Sequence, residues 1–166
     1  MKQIVKHLSR LVLVAVLALP FPAAARPRLW ERPTPFATPG RIGLGLASGS
    51  FNNGISLKTY FTRQFAGAVT VGYWWGYGLS IVADAVWEQP PLVQNSKVSL
   101  NWYAGAGPLA TVGQFGSFLG VDGFAGLGLQ LKPFPLELTA DVRPTVYFGS
   151  IDNFFFGGQG AIRYWF

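Results

Sequence analysis

From residue 41 onward the chain alternates, and the alternation sorts its charges. Within 78–88, Asp84 and Glu88 share a parity with Ser80, while Leu79, Ile81, Ala83, Ala85 and Trp87 take the other. Within 118–131, Asp122 and Gln130 fall together against Leu119, Val121, Ala125, Leu127 and Leu129. Within 136–147, Glu137, Asp141 and Arg143 oppose Leu136, Leu138, Ala140 and Val142. Lys58, Lys97 beside Asn101, and Arg163 beside Gln159 each stand opposite an apolar set in the same way. Successive side chains of a strand point to opposite faces, so a period of two means β-structure with one charged face. The pattern predicts eight strands, over 41–47, 54–61, 65–75, 78–88, 97–107, 118–131, 136–147 and 155–166. Turn signals such as "SGSFNNG", "EQPPLVQNS", "KPFP" and "GSIDN" separate them, and no helical stripe competes.

Alternation alone does not say which face meets water, and composition decides that. Half of the chain is hydrophobic, 16% is aromatic and 12% is charged, about half the roughly 25% charge of a soluble domain. The polar face is rich in Gly, Ala and Ser with one or two charges per strand, too thin for a water surface but suited to a narrow lumen. Aromatics crowd the strand ends. Phe61, Phe65, Trp87, Phe134, Tyr164 and Phe166 fall at one level; Phe51, Tyr73, Trp75, Tyr77, Phe115, Phe118, Phe148 and Phe154 fall at the other. Two such levels are expected at the two interfaces of a membrane. Trp102, Tyr103 and Phe124 lie mid-strand, outside that scheme. The fold class expected is all-β, an eight-stranded antiparallel up-and-down transmembrane β-barrel.

The amino-terminal residues belong to export. Lys2, Lys6 and Arg10 precede the apolar run "LVLVAVLAL", and Ala23-x-Ala25 offers a cleavage site, so 1–25 reads as a secretory signal peptide. A spanning helix would need about 20 apolar residues, and Pro20 and Pro22 interrupt this run. Residues 26–40 carry four prolines and read as an extended periplasmic leader, in which Trp30 or Phe36 is placed to anchor at an interface. The barrel takes 41–166. The excess of 13 Lys and Arg over 7 Asp and Glu loses three bases with the signal and three more to the leader. The basic balance is thus no argument for nucleic-acid binding. Cleavage also removes His7, the one histidine, and the chain has no cysteine, which excludes disulfides, thiolate chemistry and histidine catalysis from the mature protein.

The chain ends "QGAIRYWF", with Ile162, Tyr164 and Phe166 on the apolar parity and Gln159 and Arg163 on the other. This segment resembles the carboxyl-terminal strand of bacterial outer-membrane β-barrel proteins, with an aromatic three from the end and a terminal Phe. Ala161 stands where a Gly is common. The overall plan is similar to the small OmpA-type and OmpX-type eight-stranded barrels. That resemblance implies location in the cell outer membrane, outer-membrane lipid and the barrel-assembly machinery as partners, and recognition of the last strand through Ile162, Tyr164 and Phe166.

Chemistry-bearing motifs are few. "GAGPLA" at 105–110 matches a dinucleotide-binding G-x-G-x-x-A, but "TVGQFGSFLG" after it makes no helix. Asp122, Glu137 and Asp141 read as charge balance in a closed lumen rather than as paired catalytic carboxylates, since unpaired buried ions are costly. Parity assigns Arg41, Lys58, Lys97, Arg143 and Arg163 to that lumen against Asp84, Glu88, Asp122, Glu137 and Asp141, five of each sign. Loops near 48–54, 76–78, 108–117 and 148–154 remain available for an extracellular partner that the sequence does not specify. No cofactor, metal or catalytic residue is expected. The function expected is a non-catalytic envelope or surface role with a side-chain-plugged lumen. A narrow passive channel and a soluble lipocalin-like ligand barrel stand as the alternatives.

Overall fold

The computed structural model describes residues 36–114, 116–148 and 154–166; the signal peptide expected over 1–25, Trp30 and Phe115 lie outside them. The described chain forms β1 (Ile42–Gly49), β2 (Asn53–Tyr60), β3 (Phe65–Trp74), β4 (Gly78–Glu88), β5 (Val93–Gln94), β6 (Val98–Gly113), β7 (Gly116–Leu131), β8 (Leu136–Phe148) and β9 (Phe154–Trp165). Eight of these are staves of one antiparallel barrel. Neighbours in sequence pair with one another, β4 pairs with β6, and β1 pairs with β9 to close the sheet. The two-residue β5 pairs with the start of β6, inside what reads in sequence as a turn. Closure leaves no sheet edge unpaired around the ring, the condition for backbone to survive in a bilayer.

Strand positions agree with the expected ones except in the middle of the chain. The fifth strand was expected to stop at Gly107, with a loop over 108–117; instead β6 continues through Pro108 to Gly113 and β7 starts at Gly116. "GAGPLA" is therefore strand. Proline is tolerated because it sits in a local interruption of the ladder. The β4–β6 pairing runs to Val82↔Leu109 and resumes at Ala85↔Ala106 with the register unchanged. Pro144 in β8 does the same, between Asp122↔Thr145 and Ala125↔Val142. Each ring nitrogen lacks the N–H that the neighbouring strand would accept.

Following the register once around the sheet, carried across the β4–β6 interruption from Asp84 to Gly107, starts at Trp165 and passes Gly43, Lys58, Ala68, Asp84, Gly107, Asp122 and Thr145. The path returns to β9 at Phe155, ten residues earlier. Such a stagger tilts the staves, so side chains far apart in the sheet meet across the lumen. The end where β1 begins and β9 finishes is called here the closing end, and the other the distal end.

The packing is inverted relative to a water-soluble protein. Leu46 is 63% exposed and Leu119 62%, while Lys58 is 2% and Glu137 0% exposed. Ile42, Leu44, Val69, Ile81, Leu127, Val142 and Ile162 all point outward. Bands of exposed aromatics flank this surface: Phe61, Phe65, Phe134, Tyr164 and Phe166 at the closing end, and Tyr73, Trp75, Tyr77, Phe148, Phe154 and Phe156 at the distal end.

Not every aromatic expected in those bands lies there. Phe51 is buried and Phe118 half-buried, both packed with Trp74, Tyr147 and Phe155 inside the distal end. Phe51 comes from the β1–β2 turn, where strand parity no longer governs direction. Phe118 has the inward parity of Asp122. Two of the three mid-strand exceptions also point inward, Tyr103 with Asn101 and Phe124 with Asp122, whereas Trp102 faces outward.

Candidate functional site

The lumen holds two charge clusters between two aromatic layers. In the first, Lys58 of β2 meets Glu88 of β4 and Glu137 of β8, with Nζ 3.0 Å from Glu137 Oε1. Arg163 of β9 joins through Nη1, 3.4 Å from Glu137 Oε2. Two cations thus face two anions. The remaining capacity goes to neutral partners: Asn101 Nδ2 donates to Glu88 Oε2 at 2.9 Å, and Arg163 Nη2 donates to Ser56 Oγ at 2.8 Å. Ion pairs this deeply buried persist where such hydrogen bonds complete their coordination.

The second cluster is built on a single cation. Arg143 Nε donates to Asp141 Oδ1 at 2.7 Å, Nη1 to Asp122 Oδ2 at 2.9 Å and Nη2 to Asp84 Oδ2 at 2.9 Å. The planar fork engages three carboxylates from three strands, one through each of its nitrogens. Its plane also lies 4.3 Å from the Phe124 ring centroid. Tyr103 OH donates to Asp141 Oδ2 at 2.9 Å. Asp84 Oδ1 and Asp122 Oδ1 accept no hydrogen bond from any described residue.

Two of the ten residues assigned to the lumen by parity are elsewhere. Arg41 lies at the closing rim, where Nε donates to the Phe166 carbonyl at 3.2 Å and the guanidinium covers Phe36. Lys97 is exposed in the turn before β6, where its N–H donates to Asn95 Oδ1. Both precede the first residue of a strand, and the alternating direction of side chains holds only once the ladder begins. The expected balance of five against five is therefore corrected. Among the described residues, three cations, Lys58, Arg143 and Arg163, face five acids, and the two extra acids are both in the Arg143 cluster.

The aromatic layers close on these clusters. At the distal end Trp74 stacks on Tyr77 at 4.0 Å and on Tyr147 at 5.5 Å, with Phe51 edge-on to Trp74 at 5.8 Å. At the closing end Trp165 stacks on Tyr60 at 5.1 Å, and Phe36 lies 6.1 Å from Trp165. Lys58 Nζ sits 5.8 Å from the Trp165 ring. A Cβ on Gly43 would stand 2.9 Å from Trp165 Cε2, so glycine there makes room for the indole. Sequence reasoning missed Asn52, whose Nδ2 donates to the carbonyls of Thr70 and Ser80 from inside the distal end. It lies in a turn, where parity carries no signal.

The protein is an inside-out, eight-stranded barrel. Among solved structures it is similar to the N-terminal β-barrel domain of Pseudomonas aeruginosa OprF, at 13% identity with a TM-score of 0.48, over 75% of this chain and 97% of that domain. No family model matches the chain, and no curated protein matches it. Among the described residues no group of three or more His, Asp or Glu is arranged to hold a metal ion. Asp84, Asp122 and Asp141 all turn oxygens to Arg143 instead of to a common point.

Proposed function

We propose that this is a non-catalytic integral protein of a bacterial outer membrane, with a lumen plugged by its own side chains and a structural or surface-contact role in the envelope. The observation that carries this reading is the inverted surface: exposed leucines on the wall and fully buried ions within. Water would not tolerate the first arrangement, and a bilayer accounts for both. A soluble ligand-binding barrel would place its polar face outward. The plug rests on the stacked aromatic layers and on acids and bases that pair instead of lining a water column.

Assembly follows from the last strand. Ile162, Tyr164 and Phe166 are exposed on the outer wall, while Arg163 and Trp165 point inward, so the apolar set is presented outward for the barrel-assembly machinery and then for lipid. Fractionation of cells, followed by planar-bilayer recording of the purified protein, tests the reading. Outer-membrane recovery with no steady conductance is expected. A reproducible ohmic current would replace the plug with a narrow passive channel, and recovery in the soluble fraction would overturn the membrane assignment.

A further inference from the structure

Among the described residues, the two ends of the lumen are closed by different kinds of element. The distal end is closed by Trp74, Tyr147 and Phe155, all on staves, with Phe51 from a short turn between two of them. At the closing end Tyr60 and Trp165 come from staves, but Phe36 comes from the leader, ahead of the first ladder residue Ile42. Phe36 is only 5% exposed, and Arg41 covers its ring at 5.4 Å. Thr38 N–H donates to the Phe36 carbonyl and Arg41 N–H to the Thr38 carbonyl, which folds 36–41 into a compact turn. Gly40 N–H ties that turn to the Tyr60 carbonyl at 3.0 Å. Gly40 has φ +84° with no atom near its Cβ position, so the turn depends on a backbone state that other residues adopt at a cost.

We propose that residues 36–40 form a door over the closing end, separable from the barrel wall, with Phe36 sealing Trp165, Tyr60 and the Lys58 ion pairs from the aqueous phase on that side. Segments held by few contacts open at far lower free energy than a closed ladder. The door can therefore swing out while the staves stay paired. This inference rests on the plugged-lumen reading and deepens it by naming the part of the plug that moves. It also changes the role expected of Phe36, from an anchor in the bilayer interface to a ring seated inside the barrel mouth.

The chain has no cysteine, so an Ala66→Cys reporter is unique. Ala66 is fully buried beside Tyr60 beneath the door. Its reaction with a positively charged, water-soluble methanethiosulfonate is measured on the full-length folded protein in micelles. The reporter alone is expected to react slowly, and adding Phe36→Ala to raise the rate at least tenfold. Adding Gly40→Ala, whose methyl would meet no atom within 4 Å, is expected to raise it by about five- to thirtyfold through the left-handed backbone cost. Phe51→Ala at the distal end is expected to leave it unchanged. An unchanged rate in both the Phe36 and Gly40 variants, or an equal gain from Phe51→Ala, would overturn the door and leave the plug standing. A reporter that reacts as fast in the otherwise unaltered barrel as in the unfolded chain would overturn the plug and the door together.

Discussion

Arg143 and Asp84 are 59 residues apart, on staves β8 and β4 with β7 and β6 between them, yet Nη2 of the first donates to Oδ2 of the second at 2.9 Å. The same guanidinium holds Asp122 and Asp141. Its removal would take a common partner from β4, β7 and β8, while Tyr103 of β6 reaches the cluster through Asp141.

The imbalance of that cluster makes its members unequal. Arg143→Met should destabilise the barrel by about 3 to 5 kcal/mol, because three buried carboxylates are left without their cation. Asp122→Asn should cost far less, about 1 kcal/mol at most, since it removes one of two excess acids and keeps an acceptor for Nη1. Urea titration of folding into lipid vesicles measures both. Equal losses would show that the three acids are not in excess where they sit.

Depth along the outer wall should be readable in stability. Val142 and Phe148 both face outward on β8, the first near mid-strand and the second at its distal end. Val142→Arg is expected to cost about 2 to 4 kcal/mol and Phe148→Arg about 0 to 1. A wall facing water would show a small cost at both positions, so the same vesicle titration separates lipid from solvent.

Phe166 finishes the chain at the closing rim. Its N–H donates to the Ile42 carbonyl at 3.0 Å and its ring meets Tyr164 at 5.0 Å. Phe166→Asp should impair assembly and leave protease-sensitive chains, because the charge enters the apolar set the last strand presents and weakens the β1–β9 closure. Phe166→Trp should assemble normally. Heat-modifiable migration of membrane fractions distinguishes the two outcomes, and normal folding of the Asp variant would count against the terminal strand as an assembly signal.

Gly43 offers a local test of packing. A methyl group there meets the Trp165 indole at 2.9 to 3.0 Å across three ring atoms, and Trp165 is held from the other side by Tyr60. Gly43→Ala should therefore cost about 1 to 3 kcal/mol through overpacking. Chemical denaturation gives the value, and a cost near zero would mean that the indole is loosely held.

Parity in the sequence by itself sorts the side chains of this protein onto two faces. Once Asp84, Asp122, Glu137 and Arg163 fall on one side of their strands and leucines on the other, the period of two leaves no other way to place them. With the turn signals setting strand number and antiparallel order, and the low charge content turning the polar face inward, that local geometry accounts for eight of the ten charges. It fails at Arg41, Lys97, Phe51 and Asn52, all of which lie where the ladder has not begun or has just ended. Tyr103 and Phe124 were legible by parity but ran against the expectation that aromatics belong at the strand ends. Which acid meets which base was decided by the ten-residue stagger, because partners across a lumen depend on strand tilt and no local pattern carries tilt. The same is true of Phe36: its burial depends on the space left above Trp165 and Tyr60 when β1 meets β9, a cavity that exists only once the ring has closed.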